Sequence, residues 1–76
     1  MKSNKLVRLQ RIIREILDDP ALELTPELRL DAIDGWDSVA MVQVMLAVEE
    51  EFACRIPPDS LATTKTVGDL LSRIPA

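Results

Sequence analysis

Apolar residues recur at helical spacing in three separate segments, and this pattern limits the possible folds more than any other feature. The segments lie at about residues 5–17, 38–52 and 66–74. In each, apolar side chains repeat three or four residues apart, as on one face of an amphipathic helix. A chain of 76 residues buries only about 60% of its unfolded surface, so it can build one small core. We therefore expect a single all-α domain over residues 1–76, an antiparallel bundle of three main helices with one short extra helical turn and a long first loop.

Capping residues predict where these helices begin and end. Asp18-Asp19-Pro20 should end the first, because a proline disfavours helical geometry in the residue before it. Asp37 should cap the second, Ser38 to Phe52, since its carboxylate can accept hydrogen bonds from exposed N–H groups. Thr66-Val67-Gly68-Asp69 resembles a capping box at the start of the third helix, which Pro75 should end.

The connection over residues 18–37 is long for a compact domain, and loops of this length are often functional. Thr25-Pro26-Glu27 suggests an N-cap followed by proline at the first helical position, so a short helical turn is expected there. Asp59-Ser60-Leu61-Ala62 should form at most one further turn. The apolar residues expected to hold the long connection against the core are Leu22, Leu24, Leu28, Leu30 and Ile33.

The second helix carries two apolar stripes. The first consists of Met41, Val44, Met45, Val48 and Phe52, which we expect to be core. The second consists of Val39, Val42 and Leu46, which is either a second core contact or a surface for a partner. Because Gln43, Glu49 and Glu50 lie on the same side as the second stripe, we favour partner docking through these six residues.

Charge is divided unevenly along the chain. Residues 1–14 carry a formal +5, residues 15–51 carry −10 and residues 52–76 carry +1, for a total of −4. An acidic middle argues against nucleic acid as a partner and favours enzymes with basic docking surfaces. The basic row Arg8, Arg11 and Arg14 either docks something acidic or, as we favour, is a solvated face that pairs with the acidic middle.

The composition argues against catalysis by this chain alone. It has no histidine and one cysteine, so neither a Ser-His nor a Cys-His nucleophile is possible, and no metal site is expected. Cys54 should be a packed side chain rather than a reactive thiol. A lone cysteine suggests a cytoplasmic protein, and the longest apolar run, residues 39–48, is about half of what a membrane span needs. We expect a monomer that does not insert into membranes.

Ser38 is the residue with the clearest chemical implication. A serine at the first turn of a helix offers a hydroxyl beside unpaired backbone N–H groups and the positive end of the helix dipole. That setting favours a phosphate group, so Asp37-Ser38 predicts covalent phosphate attachment.

Three segments at characteristic separations extend this interpretation. They are Gly35-Trp36-Asp37-Ser38-Val39, followed by Val42, Gln43 and Val44; Glu49-Glu50-Glu51-Phe52; and Thr66-Val67-Gly68-Asp69-Leu70-Leu71. Together they resemble the acyl carrier protein family. The resemblance implies that a phosphopantetheinyl transferase joins 4′-phosphopantetheine from coenzyme A to Ser38, with Asp37 contributing to transferase recognition. It further implies that acyl-loading, elongating or acyl-transferring enzymes handle a thioester on that arm.

Departures from the family pattern leave alternatives open. Ala40 and Gln43 stand where carriers of fatty acid synthesis commonly have acids, which favours a specialised lipid or secondary-metabolite pathway. A peptidyl or aminoacyl carrier and an unmodified helical interaction module are the other classes. Trp36 either lies along the arm or, as we favour, covers one end of the core. The acids at 49–51 are either a solvated helix end or, as we favour, part of the docking surface.

Overall fold

The computed structural model describes residues 4–74, which form three α-helices and two 3₁₀ turns. The helices are α1 (Asn4–Leu17), α2 (Ser38–Phe52) and α3 (Val67–Ser72). The 3₁₀ turns are Leu30–Ala32 and Pro58–Thr63. The all-α bundle of three main helices is confirmed, with two short 3₁₀ turns in its connections. None of the helices within residues 4–74 has the length and apolar character needed to cross a membrane.

Two helix ends are marked by left-handed residues, and the start of α3 by a capping box. Beyond α1, Asp18 takes a left-handed conformation (φ 53°), and Ala53 does the same beyond α2 (φ 52°). At the start of α3, Thr66 Oγ1 accepts from the Asp69 N–H at 3.1 Å, while Asp69 Oδ2 accepts from the Thr66 N–H at 3.1 Å. The predicted capping box is therefore confirmed. α3 ends at Ser72, and Pro75 lies outside the described residues.

One core is shared by the helices and both connections. Its buried members are Leu6, Leu9, Ile13, Leu24, Leu30, Ile33, Val44, Met45, Val48, Ile56, Val67, Leu70 and Ile74. The long connection is held there as expected, with Leu22 and Leu28 half-buried against this cluster. Met41 and Phe52, which were expected to be core, pack against this cluster but are only half-buried, because they lie at the edges of the α2 face that meets the core.

The short turn expected at Thr25-Pro26-Glu27 is present, but it is not helical. The segment makes a simple turn, with the Leu28 N–H donating to Thr25 O at 3.1 Å, and the 3₁₀ turn begins only at Leu30. The expected turn at 59–62 lies within the longer 3₁₀ turn Pro58–Thr63.

The long connection is also bonded to the start of α3. The Leu30 N–H donates to Lys65 O at 3.0 Å, and the Val67 N–H donates to Leu28 O at 2.9 Å. The Gly68 N–H donates to Pro26 O at 2.8 Å. A Cβ on Gly68 would lie 3.0 Å from that same oxygen, so the close approach of the two backbones favours glycine here. These bonds hold the connection that leads into α2.

Candidate functional site

Ser38 is the first residue of α2, and its side chain is exposed. Asp37 precedes it in extended geometry, and Asp37 Oδ1 accepts from the Ala40 N–H at 2.8 Å. The turn before it depends on Gly35, whose φ of +85° is readily adopted by glycine. The predicted N-cap is confirmed, and it fixes Ser38 at the positive end of a helix of 15 residues.

The position of Ser38 fits a phosphate ester. The Asp37 carboxylate is bonded to the Ala40 N–H, which leaves the N–H groups of Ser38 and Val39 without acceptors inside the helix. Backbone N–H groups at a helix start stabilise an anion, and Ser38 is exposed. A bulky group attached at this oxygen displaces no packed side chain.

An apolar cleft opens directly beside Ser38. Its volume is about 480 Å³, and it is lined by Trp36, Asp37, Ser38, Met41, Val42 and Ala62. We call it the Ser38 cleft. Trp36 is half-buried and packs against the core, so its expected role of covering one end of the core agrees with the structure, while the same side chain also lines the cleft.

The second apolar stripe of α2 is exposed rather than buried. Val39, Val42 and Leu46 are 64%, 50% and 58% exposed. Gln43 and Glu50 are also exposed. We refer to Val39, Val42 and Leu46 as the α2 strip. Because exposed aliphatic side chains clustered on one helix face often mark an interaction surface, this strip favours the partner interpretation over a second core contact.

A second, larger opening lies along the C-terminal half of the α2 strip. Its volume is about 740 Å³, and it is lined by Val42, Met45, Leu46, Glu49, Arg55, Ile56 and Pro57. Val42 borders this groove as well as the Ser38 cleft. Sequence reasoning missed Ala62 and residues 55–57 as walls of these openings, because they follow α2 in loops whose path has no periodic signal.

The three glutamates at the end of α2 differ in their surroundings. Glu49 Oε2 accepts from the Ile56 N–H at 2.8 Å, so this carboxylate ties the following loop to the helix. Glu51 pairs with Arg8 at 2.8 Å. Glu50 is exposed, and no ion pair to it is found among residues 4–74. Of the three acids expected to form part of the docking surface, Glu50 has the most available charge, and docking by any of them stays a prediction.

The arginine row of α1 is partly used inside the molecule. Arg8 Nη2 also donates to Glu51 O at 2.9 Å, and its guanidinium carbon lies 4.3 Å from the centre of the Phe52 ring. Arg14 Nε donates to Leu22 O at 2.6 Å, and Arg11 is exposed. For Arg8, the favoured interpretation of pairing with the acidic middle therefore agrees with the structure.

Across residues 4–74, no group of three His, Cys, Asp or Glu side chains is placed to hold a metal ion. Cys54 is half-buried against the core, as expected for a packed thiol.

Comparison with known proteins agrees with this geometry. Residues 7–74 match the family model described as a phosphopantetheine attachment site. The acyl carrier protein of Acidothermus cellulolyticus is 38% identical over 73 residues, covering 96% of this chain and 87% of that protein. The acyl carrier protein of Thermobifida fusca is 42% identical over 67 residues, covering 87% of this chain and 84% of that protein. A solution structure of the holo acyl carrier protein from Geobacter metallireducens has a TM-score of 0.85 at 29% identity, and the match covers 95% of this chain and 83% of that protein.

These matches define a helical carrier that takes a covalent 4′-phosphopantetheine group. The chain belongs to the acyl carrier protein family. Its members are carriers rather than enzymes, and they work with a phosphopantetheinyl transferase and with enzymes that handle acyl groups.

Proposed function

We propose that Ser38 is the attachment residue and that the protein presents acyl groups, held as thioesters on its phosphopantetheine arm, to partner enzymes. The observation that carries the proposal is the exposed Ser38 hydroxyl at the first position of α2, where Asp37 caps the helix beside an apolar cleft. When bound, the group supplies the thiol that holds the cargo.

The residues around Ser38 have distinct tasks in this proposal. Ser38 Oγ forms the phosphodiester bond and gives up its proton, while the nucleotide part of coenzyme A is the leaving group. The free N–H groups of Ser38 and Val39 and the helix dipole favour the resulting negative charge. Asp37 keeps Ser38 in place through its bond to Ala40 and offers the transferase a carboxylate to recognise.

We also propose that the α2 strip, together with Gln43, Glu49 and Glu50, receives partner enzymes. The exposed aliphatic side chains give the contact an apolar centre, and Glu50 gives it an acidic rim that suits a basic docking surface. In this proposal a single carrier domain works as a monomer in the cytoplasm, which size-exclusion chromatography and cell fractionation test.

A specialised lipid or secondary-metabolite pathway is our proposal for its place in the cell. Ala40 is buried (5% exposed) and Gln43 is uncharged, so the first two turns of α2 present no acid beyond the cap. A meromycolate extension acyl carrier protein from Mycolicibacterium aurum is 36% identical over 67 residues, covering 87% of this chain and 68% of that protein. Intact-mass analysis of the protein purified from its own host will identify the cargo.

Attachment at Ser38 is tested by incubating the apo protein with coenzyme A and a broad-specificity phosphopantetheinyl transferase. We expect the mass of one phosphopantetheinyl group on the wild type and none on Ser38→Ala. Ser72→Ala is the matched control, since Ser72 is an exposed serine near the end of α3 and its removal should leave loading unchanged. Persistent loading of Ser38→Ala contradicts the proposal.

A further inference from the structure

The walls of the Ser38 cleft are held in place by the fold. On one side, the Trp36 N–H donates to Ile33 O at 3.1 Å, and the indole packs against the core. On the other side, Ala62 lies in the 3₁₀ turn Pro58–Thr63, where the Ser60 N–H donates to Pro57 O at 3.0 Å. A cleft with two anchored walls exists before anything occupies it.

Two side-chain hydrogen bonds hold the C-terminal part of the 3₁₀ turn. Thr64, the residue after the turn, is buried, and its Oγ1 donates to Ser60 O at 2.6 Å. Arg73 Nη2 donates to Thr63 Oγ1 at 2.8 Å and links the turn to the end of α3. Ala62 therefore keeps its distance from α2 without help from a ligand, which lowers the entropic cost of binding there.

The cleft begins at the attachment atom. Ser38 and Val42 are one helical turn apart, so their Cβ atoms are separated by about 5–6 Å. Between them the lining side chains are apolar, apart from Asp37 and Ser38 at the rim. The part of phosphopantetheine nearest the phosphate carries two methyl groups on one carbon, and this is the first apolar segment that the cleft meets.

We propose that this dimethyl segment of the arm rests in the Ser38 cleft, with Trp36 and Ala62 as its walls and Met41 and Val42 as its floor. The inference rests on attachment at Ser38, and it assigns Trp36 a second role as a positioning residue for the arm. The thiol end stays free to hold cargo, because only the proximal segment is seated.

Trp36 makes the inference directly measurable. It is the only tryptophan and the chain has no tyrosine, so the intrinsic tryptophan fluorescence of the protein reports on this cleft. In the fully loaded holo protein we expect Trp36 emission at shorter wavelength and weaker quenching by acrylamide than in the apo protein. Nuclear Overhauser contacts between the indole ring protons and the two arm methyl groups should appear in the holo protein.

A variant that fills the Ser38 cleft tests the proposal. Ala62→Leu places a larger side chain between the walls, and it should abolish the difference in quenching between the apo and holo forms. Ala21→Leu is the control, because Ala21 is an exposed alanine that does not line the cleft, and it should preserve the difference. Circular dichroism and intact mass establish that each variant is folded and completely loaded.

The outcomes separate this inference from the proposed function. Absence of loading at Ser38 overturns both. Complete loading at Ser38, with equal quenching in apo and holo protein and no methyl-to-indole contact, overturns only the seating of the arm. The seating is also overturned if acrylamide still quenches Trp36 less in holo Ala62→Leu than in apo Ala62→Leu, because the arm then covers Trp36 from outside the cleft.

Discussion

Asp37 combines a structural task with a proposed recognition task in one carboxylate. Its hydrogen bond to the Ala40 N–H begins α2, and its charge lies next to the proposed attachment serine. The two tasks are separable by substitution, because asparagine caps a helix about as well as aspartate but carries no charge.

We expect Asp37→Ala to lower the free energy of unfolding by about 0.5–2 kcal/mol, the usual loss for a removed N-cap. Asp37→Asn should remain near wild-type stability, yet be loaded more slowly by the transferase because the recognised charge is gone. Urea unfolding and initial loading rates measure the two effects. A normal loading rate for Asp37→Asn would show that Asp37 acts only as a cap.

Single residues with a local signal were predictable from the sequence, and residues that depend on distant partners were not. Asp37 and Thr66 cap helices that begin at the next residue, so their neighbours alone reveal them. Glu49 and Glu51 looked alike in sequence, but one bonds the Ile56 N–H and the other pairs with Arg8. The residue pattern of α2 alone does not predict either partner, because both lie outside this helix.

At the scale of the helix, α2 is divided between core and surface at neighbouring positions. Met45 is 6% exposed and Leu46 is 58% exposed, although both are large and apolar. Hydrophobicity alone does not distinguish them, but helical phase does, since a step of about 100° moves a side chain from one face to the next.

This adjacent pair gives a matched stability test. Met45→Ala should lower the free energy of unfolding by about 2–5 kcal/mol because it leaves a cavity in the core. Leu46→Ala should change it by no more than about 0.5 kcal/mol, as is usual for an exposed position. Urea melts provide the comparison, and loading kinetics of folded Leu46→Ala should show slower modification if the α2 strip docks the transferase. A large stability loss in Leu46→Ala would place this residue in the core.

The capping box of α3 predicts a specific pH dependence. Hydrogen bonds from the backbone N–H groups of Lys65 and Thr66 hold the pKa of Asp69 below its ordinary value. A carboxyl group with a lowered folded-state pKa stabilises the fold above its unfolded pKa of about 3.9, and this contribution is lost as pH falls through the folded pKa. Asp31, whose pKa is lowered by its hydrogen bond to Arg29, acts with the same sign.

We therefore expect the stability of Asp69→Asn to fall less steeply than that of the wild type as the pH is lowered from about 5 to 3. Urea unfolding across this range measures the slope. Asp59→Asn, which removes an exposed carboxylate outside the capping box, is the control and should follow the wild-type slope. Identical slopes for Asp69→Asn and the wild type would contradict the linkage.

The elements with a sustained apolar period were predictable, and the connections between them were not. α1 and α2 each repeat their pattern over several turns, which leaves little ambiguity about type or phase. The 3₁₀ turn at Leu30–Ala32 has no such repeat and is fixed by tertiary bonds such as that from the Leu30 N–H to Lys65 O. The Ser38 cleft depends on the same kind of connection, so its far wall could not be inferred.

Across the whole molecule, the charge division seen in the sequence becomes a division between helices. The basic segment at residues 1–14 lies mostly in α1, while α2 has only acidic charges, Glu49, Glu50 and Glu51. The Arg8–Glu51 pair joins the two regions, but both side chains are 44% exposed, and an ion pair in that setting contributes about 0–1 kcal/mol. The larger effect of this charge distribution is on encounters with partners.

Reversing one charge beside the α2 strip should slow association with the transferase. Charges at an interface rim act mainly on association rate and are screened within about 8 Å at physiological ionic strength. The Glu50→Lys variant should therefore bind the transferase more slowly, and its association rate should depend less on salt. Glu49 is left unchanged in this test because its carboxylate bonds the loop that follows α2. Glu27→Lys makes the same change in net charge from the long connection and should have a smaller effect. Equal rates for both variants in stopped-flow measurements would assign steering to net charge alone.

The bonds between residues 26–30 and 65–68 have a consequence for how the chain folds. They join residues 35 or more positions apart in the chain, so the loop between them has to close before any of them can form. α3 has only six residues, too few to persist as an isolated helix in water, and the connection before α2 has little regular structure of its own. Each segment therefore depends on the other, and both should become ordered in one cooperative step that comes after the longer helices have met.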